Sequence, residues 1–275
     1  MMKSYIFYIL CVLVACSSCK SLPEERLAQF NMEWTVEHDS LGTSVYIKNP
    51  VHAPLRIRFT EPYVVETYGE SRSFLVLGGL QDTTLYFEGL QSDQANLNAS
   101  IGLGDISKSI KIQVAALPFP KGKSYRLMQG YNSTPSHNTD YSRYALDFDL
   151  QVGDTICAAT PGYVVGVVED YSLGGSSKRW RPYANFVTVF DTISGMYTQY
   201  VHLDHKGALV DLGDYLEKGS VIGLSGNTGY TTAPHLHFNV LVPIDSDAFM
   251  ESAPIDSIGD YKISELKRGD WLRND

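Results

Sequence analysis

Hydrophobic residues recur at every second position over much of this chain, and runs long enough for an amphipathic helix are scarce. Up to about residue 115 the alternation comes in short bursts, so strands are predicted over 31–38, 43–48, 55–60, 73–77, 83–88, 95–101 and 109–114. Turn residues separate them at Asp39-Ser40-Leu41-Gly42, Asn49-Pro50, Tyr68-Gly69 and Gly78-Gly79. Short strands at this spacing predict a small antiparallel β-sandwich of the immunoglobulin-like class. Arg56 and Arg58 alternate with Leu55, Ile57 and Phe59, the pattern of a strand with one solvated face. His38 and His52 have no clustered partners and read as surface residues. The stretch Leu117-Pro118-Phe119-Pro120-Lys121-Gly122-Lys123 marks a boundary, giving an accessory sandwich over 26–117 and a second domain over 118–275.

Strand alternation in the second domain carries polar chemistry on one face. Leu146, Phe148 and Leu150 share one face, and Ala145, Asp147 and Asp149 the other. Val201 and Leu203 point one way, Tyr200 and His202 the other, with His205 in the exposed turn that follows. A Gly-rich turn and Pro234 lead into His235-Leu236-His237-Phe238. Leu236 and Phe238 then face a core while His235 and His237 project together. The loop over 171–182 is Gly/Ser-rich and ends in Lys178, Arg179, Trp180 and Arg181. It reads as a groove wall or as a plain connection. Residues after Val240 read as an irregular extension with no site in it.

Composition narrows the class. The chain has 275 residues, 44% hydrophobic and 19% charged, with 18 tyrosines, and fits a mainly β globular protein. A net charge of -9 excludes nucleic acid as a partner, because nothing would offset phosphate repulsion. Cys11, Cys16 and Cys19 lie near the start, leaving Cys157 as a small buried hydrophobe, so no disulfide framework or cysteine zinc motif is expected. Met1-Met2-Lys3 and the apolar run that follows fit a signal peptide over 1–15. Its end, Leu13-Val14-Ala15-Cys16, resembles a bacterial lipoprotein processing site. That resemblance implies lipid attachment at Cys16, a polar tether over 16–25, and a mature protein anchored to a membrane outside the cytoplasm, in the periplasm or at the cell surface.

Two imidazoles side by side fill a core poorly and hold a metal well. A carboxylate on the same cleft would complete a mixed site that suits zinc, with Asp147 the candidate and Asp149 its rival. His137 lies in a polar loop ahead of Asp147, able to fold back beside that strand or to stay on the surface. The ordered segments YALDF, VGDTICAATPGYV, YANFV, YVHL, VDLGDYLEKGSVIGLSGNTG and PHLHF resemble the lysostaphin-type zinc metallopeptidases of the duplicated hybrid motif fold, which cleave peptidoglycan peptides.

The resemblance covers about residues 124–243 and implies an antiparallel β-sheet with one zinc ion in a groove over it. It implies Asp147 and His237 as metal ligands, with His202 and His235 as the catalytic pair beside them. One departure stands out. The family's first histidine ligand usually lies four residues before the aspartate, where this chain has Arg143, which has no lone pair to donate. A variant pattern with Ser-His before a longer loop implies His137 as that ligand. Asn185 orients a ligand or the substrate, or serves a strand-end turn. Peptidoglycan is then the implied partner, with membrane contact through the lipid. The alternative is a catalytically inactive envelope factor that binds or activates other wall hydrolases. No protein partner is legible.

Overall fold

The computed structural model describes residues 22–23, 27–59, 74–90, 99–111 and 115–275. The expected signal peptide, Cys16 and most of the tether lie outside the described residues, as do the Tyr68-Gly69 break and parts of the expected strands at 73–77, 95–101 and 109–114. The protein is mainly β, and among the described residues no helix is long and apolar enough to cross a membrane.

Two three-stranded antiparallel sheets form the first unit. One pairs Glu33–His38 with Gly42–Lys48 and that strand with Asp82–Glu88. The other flanks Leu55–Phe59 with Leu75–Leu77 and Ala99–Leu103. Val45, Ile47, Ile57, Leu77 and Phe87 close one apolar cluster between them, as strands with one buried face require. Residues 109–111 are not in a strand, and the amide of Lys111 donates to Ser194 O (2.9 Å).

The second unit is built on a long antiparallel sheet. Its strands run in the order Tyr215–Leu216, Gly162–Val168, Phe186–Phe190, Tyr197–Val201, Leu236–Pro243, Leu146–Phe148, Ser124–Gln129 and Trp271–Arg273. A smaller sheet of Leu203–Ala208, Val221–Ser225 and Thr155–Cys157 belongs to the same unit. Leu146, Phe148, Val187, Val189, Tyr200, Leu236, Phe238 and Val240 share the main core with Leu203, Ile222 and Ile156 of that smaller sheet. Cys157 is a free, buried thiol. Ala115 and Leu117, on the sandwich side of the expected boundary, are packed in this core as well.

The opposite face of the long sheet is divided lengthwise. Toward one end of the strands it presents Phe186, Gln199, Val201, Asp147 and His237 to a groove. Toward the other end it presents Phe190, Tyr197 and Leu241, which pack with Val51, Ala53, Leu55 and Leu103 of the sandwich. His237 and Leu241 lie on the same strand face, roughly 13 Å apart at about 3.3 Å per residue.

That contact corrects the reading of Arg56. The side chain is fully buried, and its guanidinium donates to the carbonyls of Ile244 (2.6 Å), Leu103 (3.0 Å) and Phe249 (2.5 Å). Alternation located the outer face of the strand correctly, but that face meets the second unit rather than water. Arg58 sits at the rim, paired with Asp247. The C-terminal stretch is also more regular than expected. Met250–Ser252 pairs with Leu236–Pro243, and Trp271–Arg273 forms an edge of the long sheet.

Candidate metal centre

Asp147 stands on Leu146–Phe148, between Leu146 and Phe148 in the core, so its side chain takes the groove face. That strand pairs with Leu236–Pro243 in a register that sets His237 directly opposite Asp147. His237 Nδ1 lies 2.9 Å from Asp147 Oδ1. Asp149 leaves the site, because it follows the end of the strand and its Oδ2 accepts from Arg126 (2.7 Å).

His137 comes from the loop that leaves Ser124–Gln129. Gln129 Nε2 donates to Ser133 O and Ser136 Oγ, and Ser142 Oγ donates to Ser136 O, which folds the loop back on itself. The ring ends fully buried, with Nδ1 donating to Gly130 O (2.9 Å). A carbonyl can only accept, so Nδ1 carries the hydrogen and Nε2 keeps its lone pair in the neutral ring. Nε2 lies 3.1 Å from Asp147 Oδ1 and 3.3 Å from His237 Nδ1. Two ring nitrogens and a carboxylate oxygen thus converge from three chain segments, all within 4.8 Å of one another. A shared cation satisfies that set, since the His137 Nε2 lone pair faces the Asp147 carboxylate, and the two repel unless something positive lies between them. Arg143, the position the usual pattern would use, turns outward to Asp140.

His202 and His235 flank the triad. Their rings lie 4.5 Å apart, and His235 Nε2 is 3.8 Å from Asp147 Oδ2. His235 Nδ1 donates to Ala233 O (2.9 Å) and His202 Nδ1 to Thr228 O (2.7 Å), so both present Nε2 lone pairs. Strict alternation had grouped His202 with Tyr200 and opposed it to Val201. In the structure Tyr200 enters the core, whereas Val201 and His202 both line the groove. The cause is a left-handed backbone at His202 (φ 70°), which breaks the two-residue period where one strand ends and the next begins.

Asn185 holds that break in place. It is fully buried, its Oδ1 accepts from Tyr171 N (3.0 Å), and its Nδ2 donates to Tyr171 O (2.7 Å) and Asp204 O (2.9 Å). It does not line the groove, and both polar atoms of its side chain are spent on backbone, which fits the strand-end role. Gly226 closes the other side, donating to His202 O (2.8 Å), and a Cβ there would lie 2.4 Å from the Asp204 backbone.

Electrostatics fit the geometry. Burial opposes ionisation of Asp147, but His235, His137 and His237 outweigh it and hold the carboxyl well below its usual range. Burial holds His202 well below the ordinary histidine value, helped by His235 and His237. Burial also lowers His237, against the pull of Asp147. At His137 burial works downward, yet the hydrogen bond and charge of Asp147 prevail and raise it. A proton on His137 occupies the same contact as a cation, so the two compete.

The groove over these residues has a volume of 490 Å³. Arg181 and Pro182 contribute one wall, from the short 3-10 helix Lys178–Tyr183, so the cationic end of the 171–182 loop is a groove wall. Arg268 lines the groove as well, a residue the sequence had left in a stretch without a site.

Residues 141–249 match the family model described as Peptidase family M23. The match supports the M23 family, the lysostaphin-type metallopeptidases, for this segment. It includes Asp147, His202, His235 and His237 and begins after His137. An uncharacterized metalloprotease of Buchnera aphidicola is 32% identical over 127 residues, covering 45% of this chain and 30% of that protein. Lysostaphin of Staphylococcus simulans is 32% identical over 120 residues, covering 43% of this chain and 22% of its own length. The peptidoglycan DD-endopeptidase ShyB of Vibrio cholerae is 33% identical over 135 residues, covering 46% and 29%. The chain therefore spans less than a third of the length of these relatives.

Proposed function

We propose that this protein is a zinc-dependent endopeptidase that cleaves peptide cross-links or stem peptides of peptidoglycan. The observation that carries the proposal is the convergence of His137 Nε2, Asp147 Oδ1 and His237 Nδ1, with the Nε2 atoms of His202 and His235 left free beside them. The M23 match and the similarity to the peptidoglycan DD-endopeptidase ShyB support the substrate class. The inactive-factor alternative drew on Arg143, and His137 beside Asp147 favours the active reading.

In this reading His137, Asp147 and His237 hold one zinc ion. Bound there, zinc would supply Lewis acidity, which lowers the pKa of a water toward ~7 and polarises a carbonyl. The chain's own residues do the rest. His202 Nε2, aimed by the Thr228 carbonyl behind it, takes a proton from the attacking water. His235, when protonated, donates from Nε2 to the developing oxyanion or the leaving amine. Asn185 and Gly226 keep the backbone at His202 fixed, so no reorganisation is needed during the step.

Solubilised peptide fragments from purified peptidoglycan test the proposal. Release is expected from the zinc-loaded protein, to vanish with a chelator and to return with added zinc. A His202→Ala protein is expected to keep its zinc while losing about 10²–10⁴-fold in rate. Cleavage that survives chelation, or a fully loaded wild type that releases nothing, would sink it.

The proposal extends to location. Residues 1–15 act as a signal peptide, Cys16 carries lipid, the tether runs to residue 25, and an accessory sandwich (26–117) precedes the peptidase domain (118–275). The supporting feature is the Leu13-Val14-Ala15-Cys16 sequence. A Cys16→Ser protein is expected to leave the membrane fraction and lose the acyl mass; unchanged membrane partitioning would rule out Cys16 as the anchor.

A further inference from the structure

The groove does not end at the metal centre. Met128, Gln129, Thr134 and Arg268 line it and also line a second cavity of 880 Å³. That cavity lies between residues 127–134 and a wall made by Ile255, Lys262, Ile263 and Leu266. The wall falls beyond the segment matched to the family, so this chain's own C-terminal residues build the extension.

Charge in the extension is arranged unevenly. Lys262 pairs with Glu265 (3.5 Å), and Asp270 is engaged at Oδ2 by the Lys267 amide (2.7 Å). Asp256 also lines the second cavity, and no ion pair joins it to Arg268. Arg268 stands exposed at the junction of the two cavities, with no ion-pair partner among the described residues. An acidic protein of net charge -9 has many carboxylates with which such a group could pair. Arg181 faces the groove from the opposite flank, over the Tyr230 ring (5.5 Å). The strand order places the metal-centre strands between the elements that lead to these two arginines. Apart from Asp147, the ionised groups lining the groove are these two cations.

We propose that Arg268 is a specificity-determining residue, whose guanidinium clamps a carboxylate on the substrate peptide where the groove opens into the second cavity. Its planar fork suits two-point recognition of a carboxylate, which a lysine matches only as a point charge. Met128, Ile263 and Leu266 give the peptide's apolar parts a surface beyond the clamp. The ligand class is thus an acidic peptide, read on the side of the centre that the C-terminal extension covers. The inference rests on the peptidase reading for its catalytic consequence, but not for the binding itself.

The test uses the full, zinc-loaded protein and pairs of fluorescein-labelled muropeptides that differ only in whether their carboxyl groups are free or converted to carboxamides. Wild type is expected to prefer the free acids by about 10-fold or more in kcat/KM, mainly through KM, as a charge-assisted pair in a half-enclosed groove warrants. In Arg268→Gln the preference is expected to collapse toward one, and in Arg268→Lys to be partly restored. An acid preference that survives Arg268→Gln overturns the inference, as does a wild type with none. If wild type cleaves neither peptide, fluorescence anisotropy of the same pairs decides. Acid-selective binding that Arg268→Gln abolishes upholds the clamp while the peptidase reading fails. Binding indifferent to the carboxylates overturns the clamp.

Discussion

A His137→Ala protein is expected to lose its zinc. Its affinity should fall at least about 100-fold, because the remaining donors, Asp147 and His237, cannot close a stable site alone. Hydrolysis should fall with it by three orders of magnitude or more, on the order of what losing the metal's acidity implies. Arg143→Ala supplies the contrast, since Arg143 turns outward to Asp140, and its metal content is expected to stay at the wild-type level. Metal analysis after dialysis at neutral pH reads both. Equal zinc in wild type and His137→Ala would remove His137 from the centre and return the inactive-factor reading to the front. Acidification should mimic the substitution in part, because Asp147 raises the His137 pKa and a bound proton excludes the ion.

Arg56→Ala is expected to cost about 3 kcal/mol of stability, as the carbonyls of Leu103, Ile244 and Phe249 lose a charged donor at once and the buried space it filled is vacated. At this chain length that corresponds to a drop of roughly 6–12 °C in Tm by circular dichroism. Arg58→Ala should change stability by less than about 1 kcal/mol, since its partner Asp247 is on the surface. A Tm for Arg56→Ala within error of wild type would mean that the two units do not rely on this contact.

The placement of Asp147 and His237 on one face was legible because it obeys strand alternation. Leu236 and Phe238 had to go to the core, so His237 had to leave it, and Leu146 and Phe148 did the same for Asp147. His137 could be reached only through a family resemblance, since nothing in a polar loop fixes where its ring goes. The loop's closure depends on side-chain bonds from Gln129 and Ser142. His202 failed the alternation rule at a single left-handed residue, which no periodic pattern announces. Arg56 failed for a different reason: a polar face seeks partners, and carbonyls of another unit serve as well as water. The C-terminal residues carry too few apolar positions to declare a strand alone, and Trp271–Arg273 becomes one only by pairing with Ser124–Gln129.

The sandwich rests on the same sheet face as the metal centre but at the far end of the strands, and none of the described groove-lining residues comes from it. The substrate proposed above is a network polymer, which has no free ends near most of its bonds and so cannot be threaded through a tunnel. A groove crossing the strands, left uncovered by the described residues of the neighbouring unit, lets a tethered segment be laid in sideways and lifted out again after one cut. Any change that swung the sandwich over His237 would leave the chemistry intact and still limit the protein to loose chain ends.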